Sequence, residues 1–147
     1  MLILSQEQIK EIAEMLNCGF RCFCNKVTGE VVFVPDENKF YLTDLDDWAI
    51  DLEKIRKNHL DYHEIEPLDS RDSFNMMVEF TESLDDNNFL KERLIGALNK
   101  RKPFKGFKYV IDNSGIYRQQ WYSFKENCIQ DWVKREIDRI NQIYYEC

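Results

Sequence analysis

The residues best placed to do chemistry lie between positions 100 and 125. Lys100, Arg101, Lys102, Lys105, Lys108, Arg118 and Lys125 are interleaved there with Phe104, Phe107, Tyr109 and Trp121. Cations alternating with aromatic rings can track a phosphate backbone and stack on bases, or dock an acidic protein surface. Lys102, Phe104, Lys105, Lys108, Arg118, Trp121 and Lys125 are therefore the candidate binding residues. The plainer reading is that the aromatics recur at helical spacing and belong to a core. The lysines then form a solvated face, or pair with acids elsewhere in the chain. Arg118 and Trp121 stand one helical turn apart, so the guanidinium can stack on the indole or hold a carboxylate.

Other constellations are weaker. Cys18, Cys22 and Cys24 could present three thiolates, with His59 or His63 as a fourth ligand, but zinc knuckles space their cysteines C-x-x-C. Cys22 and Cys24 alternate on one strand face, which suits packing. His59 and His63 have the i,i+4 spacing of a helical zinc protease, yet Leu60 stands where the general-base Glu belongs. Asp44, Asp46, Asp47 and Asp51 fail as a calcium loop, because Ala49 and Ile55 occupy its sixth and twelfth positions. Met76 and Met77 with Phe74, Phe80 and Phe89 form an apolar cluster that fills a core or lines a pocket. No phosphate-cradling glycine loop or nucleophile elbow is present. No metal and no cofactor is expected.

The charge is distributed unevenly. The chain of 147 residues carries a net charge of -7. Positions 36–99 hold 7 basic and 17 acidic residues, whereas 100–125 hold 7 basic and 1 acidic. The global field repels phosphate, so non-specific nucleic-acid binding is disfavoured, while a local basic stripe still attracts an anion. Five cysteines, an odd number, argue against a disulfide framework and for a reducing cytoplasm. Met1-Leu2-Ile3-Leu4 is too short an apolar run, with no basic run before it, to predict a signal peptide. No apolar run is long enough to span a bilayer. Five Gly and three Pro leave little room for a linker.

The elements that must position these residues follow from periodicity. Ser5 with Gln8 makes a capping box, and Ile9, Ile12, Ala13 and Leu16 repeat at helical spacing, predicting a helix over 6–17 that Cys18-Gly19 stops. Phe20–Asn25 and Glu30–Val34 read as a hairpin ended by Pro35. Thr43 or Asp44 caps a helix with Leu45, Trp48, Leu52 and Ile55 on one side. Tyr62–Leu68 reads as a third strand. Asp69 or Ser70 starts a helix carrying Phe74, Met77, Val78 and Leu84. The next helix, 88–99, buries Leu90, Leu94, Ile95 and Leu98. Pro103 opens a helix with Phe104, Phe107, Val110 and Ile111 as its apolar side. After Asn113-Ser114-Gly115 a long helix runs from Ile116 to Tyr144. The fold class is α+β: a small antiparallel sheet packed by a mostly helical remainder with a long C-terminal helix. One domain spans 1–147, with the sheet over about 1–68 and the helical part over about 69–147.

Four stretches together resemble a known family. They are Thr28-Gly29-Glu30 followed by Val34-Pro35-Asp36; Ser70-x-x-Ser73-Phe74-x-x-Met77; Ala97-Leu98-x-x-x-Lys102-Pro103-Phe104-x-x-Phe107-Lys108; and Arg118-x-x-Trp121-Tyr122-x-Phe124-Lys125. Their order and spacing resemble the bacterial uncharacterised protein family 0158 over almost the whole chain. The resemblance implies a bacterial cytoplasmic protein of a single domain. It brings no catalytic residues, substrate or cofactor.

The leading expectation is a non-enzymatic binding or regulatory protein. It presents the basic-aromatic surface to an acidic protein partner or to a second copy of itself, with no membrane involved. A nucleic-acid-associated accessory protein using the same residues is the alternative. A small enzyme whose acid/base pair the fold assembles, with Asp36 and Glu64 as candidates, is the third reading.

Overall fold

The computed structural model describes residues 1–36 and 48–143. Thr43, Asp44, Leu45, Asp46 and Asp47, with the helix start expected there, lie outside the described residues, as do Tyr144 and Cys147. The described chain forms six helices and a three-stranded antiparallel sheet, an α+β fold. It divides into two compact units, 1–67 with 129–147 and 68–128. The helical part expected over 69–147 is thus shared between them.

The first unit begins with α1 (Gln6–Asn17). Ser5 Oγ accepts from Gln8 N at 3.1 Å, and Gln8 Oε1 accepts from Ser5 N at 2.9 Å, so both halves of the capping box form. The helix stops where Gly19 takes φ 91°, a left-handed conformation that costs glycine little. Its buried stripe is Ile9, Ile12, Ala13 and Leu16, as the spacing predicts.

The hairpin pairs β1 (Phe20–Asn25) with β2 (Val31–Pro35), and β3 (Tyr62–Ile65) adds to the other edge of β1. Asn25 Oδ1 accepts from the amides of Val27 and Thr28 at 2.8 and 3.0 Å, which folds the turn on its own side chain. Pro35 is tolerated because β2 is an outer strand. Phe23 lies between Val32 and Glu64 in the register, and Cys22 lies between Phe33 and Ile65. Ile55 of α2 (Ala49–Lys57) packs with Phe23 against Val32, Val34 and Tyr62.

The third strand is shorter than the predicted 62–68. Glu66 turns its backbone away from the sheet: its N–H donates to Glu136 Oε1 at 2.7 Å, and its carbonyl accepts from Trp132 Nε1 at 2.7 Å. Glu136 and Trp132 belong to α6 (Ile116–Ile143). The same end of α6 clasps the N-terminus, where Asn141 pairs with both the N–H and the carbonyl of Leu2 at 2.8 and 3.0 Å.

The second unit contains α3 (Ser70–Ser83), α4 (Phe89–Leu98), α5 (Pro103–Asp112) and residues 116–128 of α6. Asp69 caps α3 by accepting from Asp72 N at 2.8 Å, and Asn88 caps α4 by accepting from Leu90 N at 2.9 Å. Met76, Met77 and Phe80 are buried on α3. Trp121 is 8% exposed, with its ring 4.8 Å from Phe107, 5.3 Å from Phe80 and 6.3 Å from Phe124. This aromatic cluster is the core of the unit. The predicted burial of Ile95 is corrected: it is 44% exposed, and Ala97 is buried instead. The reason is α5. Gly106 approaches Ala97 so closely that a Cβ on Gly106 would lie 3.4 Å from the Ala97 Cβ, which rotates the buried stripe of α4 toward residue 97.

Candidate functional site

Two helical stripes make the site. On α4 and the turn after it, Arg93, Gly96, Ala97 and Lys100 recur at i, i+3, i+4 and i+7, so they share one face. On α5, Lys102, Lys105, Gly106, Tyr109 and Val110 do the same. Arg101, in the connecting turn, closes the end. Between the stripes lies an open groove of about 630 Å³, within the range of small-ligand sites, roughly 300–1,000 Å³.

The charged residues that line the groove are all cations, set beside Gly96, Ala97, Gly106, Tyr109 and Val110. Arg93, Lys100, Arg101, Lys102 and Lys105 line it, and no carboxylate does. Among the described residues no ion pair reaches any of these five. Lys102 has φ 56° and ψ 58°, the left-handed region, and caps α5 without a side-chain hydrogen bond. A side chain there costs about 1–2 kcal/mol, a strain that tends to gather at binding sites. Gly96 opens the floor: a Cβ added to it meets no atom within 4 Å. Tyr109 is 68% exposed and offers a flat ring two helical turns from Lys102.

The candidate residues named by the sequence are only partly brought together. Lys102 and Lys105 line the groove. Phe104 is half exposed, edge-on to Phe74 at 6.4 Å, and Lys108 is exposed on the same helix. Arg118 holds a carboxylate, Asp112 at 3.2 Å, and its guanidinium lies 5.0 Å from the ring centre of Tyr122 rather than on the indole of Trp121. Trp121 faces the core and packs there, so it offers no surface. Lys125 is half buried. Its desolvation, with the Lys108 charge nearby, holds its ammonium below the ordinary lysine range.

Arg93 and Gly96 do not stand out in the sequence alone. Summing charge over 36–99 hid Arg93 inside an acidic block. The i, i+3, i+4, i+7 spacing with Lys100 was the signal that could have found it.

Other constellations resolve into structure. Cys22 and Cys24 are buried on one face of β1, and their mutual hydrogen bond and burial push the Cys22 thiol far up. A thiol so held stays protonated and packs as an apolar group. His59 lies in the turn after α2 and His63 in β3, so their spacing is not helical. Glu64 is held by Arg21 through two bonds of 2.8 and 2.9 Å. Among the described residues, no group of three His, Cys, Asp or Glu is placed to hold a metal ion, and no helix is long and apolar enough to cross a membrane.

Comparison with known proteins adds a family. The model of the Uncharacterised protein family (UPF0158) matches residues 1–145. A UPF0158 protein of Pseudomonas aeruginosa is 29% identical over 69 residues, 47% of this chain and 44% of the relative. The matched stretch thus spans less than half of that relative's length. No solved structure matches the chain.

Proposed function

We propose that this chain, which belongs to the uncharacterised protein family UPF0158, is a non-enzymatic binding protein of the bacterial cytoplasm that takes an anionic partner on its α4–α5 surface. One observation carries the reading: five cations converge on a single groove with no lining carboxylate, and no ion pair among the described residues reaches them. Five exposed cations on one face raise a local positive potential that attracts an anion. The groove lining has no thiol, imidazole or carboxylate. Free cysteines at positions 18, 22, 24 and 128 suit a reducing compartment. An acidic protein, or a second copy of this acidic chain, supplies the required charge.

The second reading is nucleic acid. It is favoured by the four-residue turn over 99–102, which joins two helices, the second presenting Lys105, Lys108 and Tyr109 to solvent.

The test is affinity purification from native cytoplasm, with and without nuclease, beside a Lys102→Glu, Lys105→Glu variant. A partner retained by wild type and lost by the variant supports the surface. Its loss on nuclease treatment moves the reading to nucleic acid. Identical recovery by both forms, or none by either, overturns the proposal.

A further inference from the structure

We infer that the α4–α5 groove is a site for a nucleoside polyphosphate, the phosphates among the cations and the base against Tyr109. The inference rests on the anion-binding reading and narrows it to a ligand class.

Three observations converge. The first is Gly96. A glycine in the middle of a helix costs about 1 kcal/mol relative to alanine. Gly96 lines the groove and has nothing within 4 Å of a would-be Cβ. Packing therefore does not explain Gly96. A ligand lying on the bare backbone does.

The second is charge density. Arg93, Lys100, Arg101, Lys102 and Lys105 surround one small space. A single carboxylate neutralises one of them, whereas a polyphosphate carries several charges on adjacent oxygens. Guanidinium forks and ammonium groups are the usual partners of such oxygens. Strained Lys102 stands at the entry of α5, where the first-turn amides add to the positive field.

The third is the distance from charge to ring. Tyr109 lies seven residues beyond Lys102, about 10 Å along the helix axis. Inorganic phosphate cannot reach both. A nucleoside polyphosphate can place phosphates at Lys102 and Lys105 and a planar base on the exposed phenol ring.

The experiment is calorimetric titration of the full chain with four probes: ATP, inorganic triphosphate, adenosine and a deca-glutamate peptide. ATP is expected to bind one molecule per chain, about tenfold more tightly than triphosphate, the gain of one stacked base. Adenosine alone is expected to bind weakly. Tyr109→Ala should erase the tenfold gap while leaving triphosphate binding intact. Gly96→Leu keeps every charge and fills the groove, so it should abolish ATP binding with helix content unchanged by circular dichroism. Should Gly96→Leu not fold, Lys102→Glu at an exposed position serves instead, with a loss of about tenfold or more.

Equal affinity for ATP and triphosphate would overturn the inference. So would a folded Gly96→Leu variant that binds ATP normally, since attraction would then come from diffuse surface charge. If deca-glutamate binds as tightly as ATP, and Lys102→Glu weakens both, the nucleotide assignment falls while the anion-binding reading stands. If no anion binds even at low salt, both fall.

Discussion

The charges of the sheet unit and those of the α4–α5 hairpin are treated in opposite ways. In the sheet unit several cations have ion-pair partners. Arg21 grips Glu64 through two bonds, Lys54 meets Glu30 at 2.7 Å, and Arg139 meets Glu136 at 2.7 Å. These acids also hold other groups. Glu30 accepts from Tyr62 Oη at 2.9 Å, and Glu136 accepts from Glu66 N at 2.7 Å. In the hairpin, five cations share a groove with no lining carboxylate. The difference separates cations paired within the fold from cations that no ion pair among the described residues reaches. Only the second kind is a functional signal, and counting lysines along the chain does not distinguish the two.

The largest expected effect tests the floor beneath the hairpin. Trp121→Ala removes the ring that packs against Phe80, Phe107 and Phe124. It should cost about 3–5 kcal/mol in chemical denaturation. A loss under about 1 kcal/mol would mean that the aromatic cluster does not hold the second unit together.

The next compares the two kinds of charge directly. Glu136→Ala leaves the Glu66 amide without its acceptor and removes two bonds from Arg139, which keeps the Glu64 carbonyl, and should cost about 1–3 kcal/mol. Lys105→Glu, at a groove residue with no partner to lose, should stay within about 0.5 kcal/mol of wild type. Equal losses would erase the distinction.

A smaller effect has the opposite sign. Gly96→Ala should raise stability by about 0.5–1 kcal/mol, because an unobstructed glycine in a helix gives up chain entropy for nothing in the fold. If stability falls instead, Gly96 serves packing after all.

The smallest effect is pH-dependent. Hydrogen bonds from Lys54 and then Tyr62 hold the Glu30 carboxyl below its ordinary value of 4.5. A carboxylate lowered on folding stabilises above that value and loses its contribution as pH falls through the lower folded value. Lys54, raised above 10.5 by Glu30, contributes below that pH and loses its share as pH rises through its folded value. The amplitude is small because the pair is solvent-screened. Lys54→Met should flatten both limbs in thermal melts. Unchanged limbs would show that the pair carries no stability.

Much of this arrangement is legible in the sequence where the signal is local. The start of α1 is written in Ser5 and Gln8, its end in Gly19, and the opening of α5 in Pro103. Signals that need two elements were not legible. The shortening of β3 depends on Glu136 and Trp132, some 70 residues away. Ile95 reads as core because its own helix allows it. Only the approach of Gly106 to Ala97 decides otherwise. The site shows the same limit. Lys102 and Lys105 stand out by composition, whereas Arg93 and Gly96 matter because α4 faces α5. Trp121 looked like a stacking platform because aromatic residues among cations have that pattern. Its three ring neighbours, two of them on other helices, claim it for the core.

The most direct test of the division between held and unheld charge is amide NMR of the full chain, titrated with inorganic triphosphate at low salt. The account predicts saturable shifts confined to residues 93–110, with the amides around Arg21, Lys54 and Arg139 unmoved. Shifts spread evenly over the basic residues of both units, or none at all, would contradict it.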